Sequence, residues 1–462
     1  MNKVIIVGGG LAGLAAGIKL LEEKPELRVT LYNMGHHLGG KIASFRDEDG
    51  FNIDHGFHAI QAGAERLLNL IDRAGINRET ALVPDRGTYF YQEPGKMRGP
   101  DIPIDEESEA ASAKQMEFFL KHQEEIFVSE DIEKYDPQSY TEWSLERGID
   151  EALTKTRGAR FSKDALFNWP HEISAYINFK SIRMLRGMPG YFLTNGSYGE
   201  VIVDPIVNYF RRLGGSIELH HKLTGVIHNG TRISGLEFAR PDYHFHDHGR
   251  RDWEAQIPIM PGRVLVEDFD AAILTMPVDS FRELNPGDKG FWQGFPGIEN
   301  LRSVSTLSWQ MWTKEKVLPV DSCINTLEEP LPMVIDYKNL RDEYKNDDRI
   351  GSALEWVGQE NSFEDVPDDE IKELTLECFL TIPGAKDPRD KGIIHESFRR
   401  NSSNHKRYLL TDPGTVGYRP HTKTHLENLF LAGDWIRNDI DVPTMEGAIC
   451  SGYTSVDALL SK

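Results

Sequence analysis

The stretch Val4-Ile5-Ile6-Val7-Gly8-Gly9-Gly10-Leu11-Ala12-Gly13 sets residue types in the order that binding a pyrophosphate needs. Four apolar, mostly β-branched residues suit a buried strand, and residues 14–23 suit a helix. Between them, Gly8 permits a tight turn and Gly10 lets backbone N–H groups approach a phosphate. Gly13 lets helix and strand pack closely, so that the helix N-terminus faces the anion. A second strand, residues 27–32, ends at Asn33. A carboxylate usually holds the ribose hydroxyls at that position. A carboxamide can accept one such bond without a charge, or it can brace an Asx-type turn. Leu38-Gly39-Gly40-Lys41 then offers a second glycine loop with a cation, also able to lie against a phosphate.

The other residues that could do chemistry stand far along the chain. Asp49-Gly50-Phe51-Asn52-Ile53-Asp54-His55-Gly56-Phe57-His58 reads as a turn, a short strand and a glycine-containing bend. Residues 429–435 form an apolar strand ending in Gly433-Asp434-Trp435, and a helix begins near Met445 and reaches Leu460. The positive end of such a helix suits a group that gains negative charge. Between these ends, Phe161, Phe167, Trp169, Tyr176, Phe179, Met184 and Met188 fill either a core or the wall of an apolar tunnel. His244, His246 and His248 alternate in a polar insertion that reads better as an exposed hairpin tip than as a metal site. No metal is expected.

The 462 residues suffice for two domains, and the net charge of −21 excludes nucleic acid as a natural partner. Mean hydropathy is −0.45, and no apolar run is long enough to span a membrane. Three dispersed cysteines, Cys323, Cys378 and Cys450, suit a reducing compartment. The sequence enters its first strand at once, so no targeting segment is expected and the cytoplasm is the expected location, with peripheral membrane contact as a variant.

The order GxGxxG, GG plus a cation, DGFxxDxGFH, Arg419-Pro420, LAGDW and MEGAxxSG resembles the flavin amine oxidase superfamily. Within it, Gly56-Phe57-His58 resembles the plant and cyanobacterial carotene (phytoene and ζ-carotene) desaturases. The resemblance implies an α/β fold: a Rossmann-like FAD-binding domain of glutathione-reductase type, with a central parallel sheet and a β-meander, interleaved with an α+β substrate domain. The FAD-binding parts are expected at 1–84, 196–290 and 419–462. The substrate parts are expected at 85–195, mostly helical, and at 291–418, a sheet with helices.

For FAD, the resemblance implies contacts from Gly8, Gly10, Leu11, Ala12, Gly13, Asn33, Gly39, Gly40, Lys41, Gly56, Phe57, His58, Val226, Gly433, Asp434 and Met445. Lys41 stands where an Arg is usual, keeping the charge without the bidentate fork. Val226 is expected to meet adenine through its backbone. His58 and Trp435 are the candidate catalytic residues.

The implied chemistry is removal of a hydride from a C–H bond to flavin N5. The expected activity is a desaturase-like introduction of C=C bonds into an apolar isoprenoid, with a quinone or dioxygen as electron acceptor. Two alternatives stay open: an amine oxidase-like enzyme acting on a small amine or natural product, in which Trp435 forms one wall of an aromatic cage, and a FAD-binding scaffold without turnover. No lysine matches the usual amine oxidase site residue, and no residue's spacing identifies a catalytic base.

Overall fold

The computed structural model describes residues 1–462 apart from 86–88, 94–95, 99–105, 152, 154–156, 186–189, 243–258, 327, 360 and 462. The histidine-rich insertion and Met188 therefore lie outside the described residues, as does the side chain of Phe161.

Lys3–Val7 is the central strand of a five-stranded sheet and is buried on both faces, as its unbroken apolar run requires. It pairs in parallel with Arg28–Tyr32 on one side and with Ala271–Leu274 on the other. Ser216–Glu218 and Leu429–Leu431 complete the sheet at its two edges, again in parallel. Lys3–Val7 and Leu429–Leu431, more than 400 residues apart in sequence, thus lie in one sheet with a single strand between them. The apolar side chains of Val4 and Ile6 pack beneath helices Leu11–Glu23, Glu65–Arg73, Asp204–Arg212 and Met445–Leu460. Ile5 and Val7, on the opposite face, pack against the antiparallel meander Lys222–His228, Ile233–Pro241 and Ile259–Val266. The fold is α/β with a parallel core sheet and a meander layer, as expected.

A second, seven-stranded sheet runs in the order Ile393–Asn401, Thr306–Thr313, Ser352–Gln359, Met333–Asp336, Ile324–Asn325, Tyr89–Glu93 and Lys96–Arg98. Helix Asp368–Leu380 lies on it through Ile371, Leu376 and Phe379. The stretch 85–195 is therefore not only helical: Tyr89–Glu93 joins the sheet by parallel pairing with Ile324–Asn325. Ile324–Asn325 itself, a strand of two residues, is too short to leave a periodic pattern in the sequence. Tyr191–Thr194 forms a smaller sheet with Ile60–Gln61 and Leu82–Pro84. Around Trp143 and Phe179, whose ring centroids are 4.7 Å apart, helices Tyr140–Glu146 and Ala175–Leu185 make a separate aromatic core.

Candidate active site

One cavity of about 820 Å³ runs between the parallel sheet and the seven-stranded sheet. At one end, Gly8–Gly10, Leu11 and Ala12 form its wall. Helix Leu11–Glu23 starts there with no side chain capping it and no acidic residue in its first turn, so its positive end is open to an anion. Gly13 does not line the cavity; it makes the turn possible. A Cβ on Gly13 would stand 2.0 Å from the Gly8 carbonyl oxygen, so any side chain would push the helix off the strand. Gly39 and Gly40 lie against this turn, bridged by the Gly39 N–H donating to the Gly9 carbonyl at 2.8 Å. Gly39, at φ 106°, holds a conformation that L side chains rarely adopt.

Asn33 stands where the two glycine loops meet. Its Oδ1 accepts from the Gly9 N–H at 3.1 Å, and its Nδ2 donates to the Gly35 and His37 carbonyls, both at 3.1 Å. The side chain lines the cavity, but its polar atoms brace its own loop, the turn-forming alternative raised above. Next to it the Tyr32 ring, His221 and Leu223 close this end of the cavity.

Val226 is not in the wall. Both its backbone groups are taken by Asn285, whose Oδ1 accepts from the Val226 N–H and whose Nδ2 donates to the Val226 carbonyl, each at 2.7 Å. The side chain lies in the core under the meander. The strand enters the cavity three residues earlier, at Leu223, and this corrects the expected adenine contact.

Lys41 bridges the chain ends. Its Nζ is 2.5 Å from Asp434 Oδ2 and 5.5 Å from the centre of the Tyr408 ring. Gly433 and Asp434 line the same stretch of wall as Gly56, Phe57 and His58. The Gly433 N–H is held by Ser451 Oγ at 2.7 Å. Behind the turn, the buried Arg419 donates to the carbonyls of Trp435, Ile436 and Asp441, which fixes the path of the chain from 434 to 441. Helix Met445–Leu460 then begins at the cavity, capped by Thr444 Oγ1 on the Gly447 N–H at 3.1 Å, with Pro443, Thr444 and Met445 in the wall.

The adjoining Glu446 also borders the cavity, but its carboxylate is engaged elsewhere. It is buried and accepts from the N–H groups of Arg66 and Leu67 at 3.1 and 2.9 Å, capping the neighbouring helix Glu65–Arg73.

His58 borders the cavity with its Nδ1 2.7 Å from the Gly56 carbonyl oxygen. A carbonyl only accepts, so Nδ1 carries the proton. Burial lowers the pKa of the ring below the usual histidine value, which leaves it neutral at physiological pH. Its edge meets the Tyr198 ring at 5.6 Å.

Trp435 does not reach the cavity. Its indole N–H donates to the Met276 carbonyl at 2.8 Å and its ring packs on Phe281 in the core. It cannot touch a substrate, so its candidate catalytic role and the cage wall are both corrected. Tyr408 is the aromatic residue at that place: it lines the cavity, with its hydroxyl donating to the Pro443 carbonyl at 2.6 Å. Its position at the end of a two-residue strand gave no signal in the sequence.

Beneath the Gly56 bend lies a buried charge cluster that the sequence did not reveal. Arg341 Nη2 is 2.5 Å from Asp54 Oδ2, and both side chains are sealed from solvent. Glu355, also buried, has its pKa raised to about 8 by desolvation and by the Asp54 charge. Among the described residues no group of acidic, histidine and cysteine side chains could hold a metal.

A model of flavin-containing amine oxidoreductases matches residues 11–460 of this chain. The chain belongs to that family. Along its whole length it is similar to the 15-cis-phytoene desaturase of Synechococcus elongatus, with 24% identity over 488 residues covering 100% of this chain and 96% of the relative. The corresponding enzyme of Arabidopsis thaliana is 25% identical over 481 residues, covering 97% and 78%. Wild-type putrescine oxidase bound to putrescine shares the fold with a TM-score of 0.72 over 100% of this chain and 99% of that one, at 13% identity.

The family's cofactor is FAD, and the residues present fit it. The Gly8–Gly13 turn keeps its path along the cavity only with glycine, since Cβ atoms at Gly8, Gly9 and Gly13 would collide with Thr275, Leu38 and the Gly8 carbonyl. Two helix N-termini face one cavity, and a cation stands between them. The chain is a FAD-dependent oxidoreductase.

Proposed function

We propose that the chain takes a hydride from an allylic C–H bond of an apolar isoprenoid and loses a proton from the neighbouring carbon, leaving a new C=C bond. The observation that carries this reading is the likeness to phytoene desaturases over the full chain, including Gly56-Phe57-His58. Bound FAD supplies the hydride acceptor. In this reading Gly8, Gly10, Leu11, Ala12, Gly39 and Gly40 hold the pyrophosphate. Asn33 and Leu223 border the ribose and adenine. Gly56, Phe57, His58, Gly433, Asp434 and Met445 border the isoalloxazine. Leu166, Phe167, Met184, Leu307 and Met333 supply apolar wall in the remainder of the cavity, alongside polar residues such as Ser181, Asn325 and Gln359. Quinone or dioxygen takes up the two electrons.

An apolar substrate is drawn from a membrane, and the reading includes peripheral contact from the cytoplasmic side. Met116 and Leu120, one helical turn apart, are 59% and 58% exposed, and Val128 is 56% exposed. Exposed apolar side chains of this kind support contact with a lipid surface. No helix among the described residues is long and apolar enough to cross it. Incubation with a C40 polyene in vesicles, a quinone and the protein tests the reading. It expects products with longer conjugation, separable by chromatography, and co-flotation of protein with the vesicles. Turnover of an amine with an unchanged polyene would reject it.

A further inference from the structure

Strand Thr306–Thr313 has two unlike faces. Leu307, Trp309 and Met311 pack into the apolar core beneath helix Asp368–Leu380. Thr306, Ser308 and Gln310 alternate with them and meet the chain that leads into the Gly56 bend. Gln310 Oε1 accepts from the Asp54 N–H at 3.1 Å, and Ser308 Oγ donates to Glu355 Oε1 at 3.3 Å. Thr306 is half-buried and is where this polar face runs out into the cavity. Tyr408, which pairs with Val304 two residues earlier, lines the same wall, and so does Val357, which a Cβ on Gly56 would approach to 3.8 Å.

Asn401, the partner of Thr306 on the neighbouring strand, is fully buried. Its Nδ2 donates to the His55 carbonyl at 2.9 Å and to Thr306 Oγ1 at 3.0 Å. A carbonyl only accepts, so the carboxamide nitrogen must face His55 and Thr306. Both amide hydrogens are then used, and Asn401 Oδ1 is sealed without a partner. Thr306 Oγ1 is therefore an acceptor toward Asn401, and its own proton points elsewhere. Among the described residues no protein group takes that proton.

A hydrocarbon offers such a donor nothing, and covering it with one removes its bond to water without replacement. Oxidised isoalloxazine carries acceptors along one edge, at N5 and the C4 carbonyl oxygen. The geometry points to Thr306 as the hydrogen-bond donor to the N5–C4=O edge of bound FAD, held in that role by its bond from Asn401. This rests on the placement of the isoalloxazine beside Gly56 and His58 given above, and it holds whichever substrate is oxidised.

FAD isotopically labelled at N5 and at C4 is bound to the protein and observed by NMR, with Thr306→Val, Thr306→Ser and His58→Ala beside the unaltered chain. Thr306→Val keeps the shape and removes the donor. At least one labelled resonance is expected to move, and FAD is expected to bind about fivefold more weakly, the worth of one neutral hydrogen bond. Thr306→Ser is expected to restore both. Should Thr306→Val fail to fold or to load FAD, Thr306→Cys, a much weaker donor, takes its place with the same expectation.

Resonances that stay in place in Thr306→Val while His58→Ala moves them would overturn the assignment and leave the isoalloxazine beside His58. Resonances unmoved by either change would overturn it together with that placement. Movement in Thr306→Val that Thr306→Ser does not reverse is a packing effect and would overturn the assignment as well.

Discussion

Lys41 and Asp434 are 393 residues apart in sequence and 2.5 Å apart in space. The contact ties the glycine loop after the second strand to the Gly433-Asp434 turn after the last one. Both side chains are only partly exposed and line the cavity proposed to take FAD. The Lys41 ammonium therefore has an acidic partner within the protein.

Lys41→Ala should leave Asp434 as an uncompensated negative charge beside the cofactor. The expected result is a loss of FAD during gel filtration that the unaltered protein does not show, with Lys41→Arg retaining most of it. Removing both partners, in Lys41→Ala with Asp434→Ala, should cost less than the sum of the single changes, because the stranded charge is gone. Cofactor dissociation followed by fluorescence of released FAD measures the unaltered protein, Lys41→Ala, Lys41→Arg, Asp434→Ala and the double variant.

Asn33→Ala removes three hydrogen bonds at once, those to Gly9, Gly35 and His37. Both the fold and the cofactor should feel this. A loss of about 1–3 kcal/mol of stability is expected, chiefly from the buried Gly9 N–H left without a partner, together with weaker FAD retention. Asn33→Asp keeps the acceptor for Gly9 but sets a carboxylate against two carbonyls, so it should destabilise the loop as well. Urea unfolding of the apo and loaded proteins separates the two effects.

Glu446 shows how a motif can be legible and its reason hidden. The run Met445-Glu446-Gly447-Ala448 marks a flavin-edge helix, yet its carboxylate caps another helix. Glu446→Ala should cost about 0.5–2 kcal/mol of stability, the usual range for a lost N-cap, with flavin spectrum and cofactor affinity nearly unchanged. Thermal unfolding checks the first expectation and absorbance the second.

The sequence carried the parallel sheet and the glycine turn because both are local: an apolar run, a fixed spacing and a helix. It misled at Val226 and Trp435. In each case the strand or turn was placed correctly and the residue facing the cavity was not. Strand side chains alternate and a turn re-aims them, so an error of position reverses which face a residue presents. Leu223 and Tyr408 take the places in the wall, and neither differs in type from an ordinary core residue. The Asp54–Arg341–Glu355 cluster was invisible for another reason. Asp54 lies almost 290 residues before Arg341 and still farther before Glu355, and only the tertiary fold brings them together.

That cluster gives the protein a pH dependence with a definite sign. Glu355 titrates near 8 when folded, well above its ordinary value of 4.5, because its charged form is desolvated and faces Asp54. Between those values the folded state keeps a proton that the unfolded state has released. Stability is therefore full below the unfolded value and falls as pH rises toward 8. Glu355→Gln should flatten this fall, measured as the slope of melting temperature against pH, whereas Arg341→Met should cost about 3–5 kcal/mol by stranding Asp54.

His58 is neutral, with its tautomer set by the Gly56 carbonyl. His58→Ala should leave FAD bound and shift the flavin potential or turnover, since a polar ring beside the reacting edge is exchanged for a methyl group. Potentiometric titration of the bound flavin reads the effect without a substrate; an unaltered potential and unaltered kinetics would make His58 a packing residue against Tyr198.

The central claim is that this family member oxidises an apolar isoprenoid. The most direct measurement is anaerobic mixing of the loaded protein with candidate reductants while flavin absorbance is followed. The account predicts that a polyene bleaches the flavin in a single turnover and that a diamine does not. Bleaching by the diamine, with the isoprenoids inert, would contradict it.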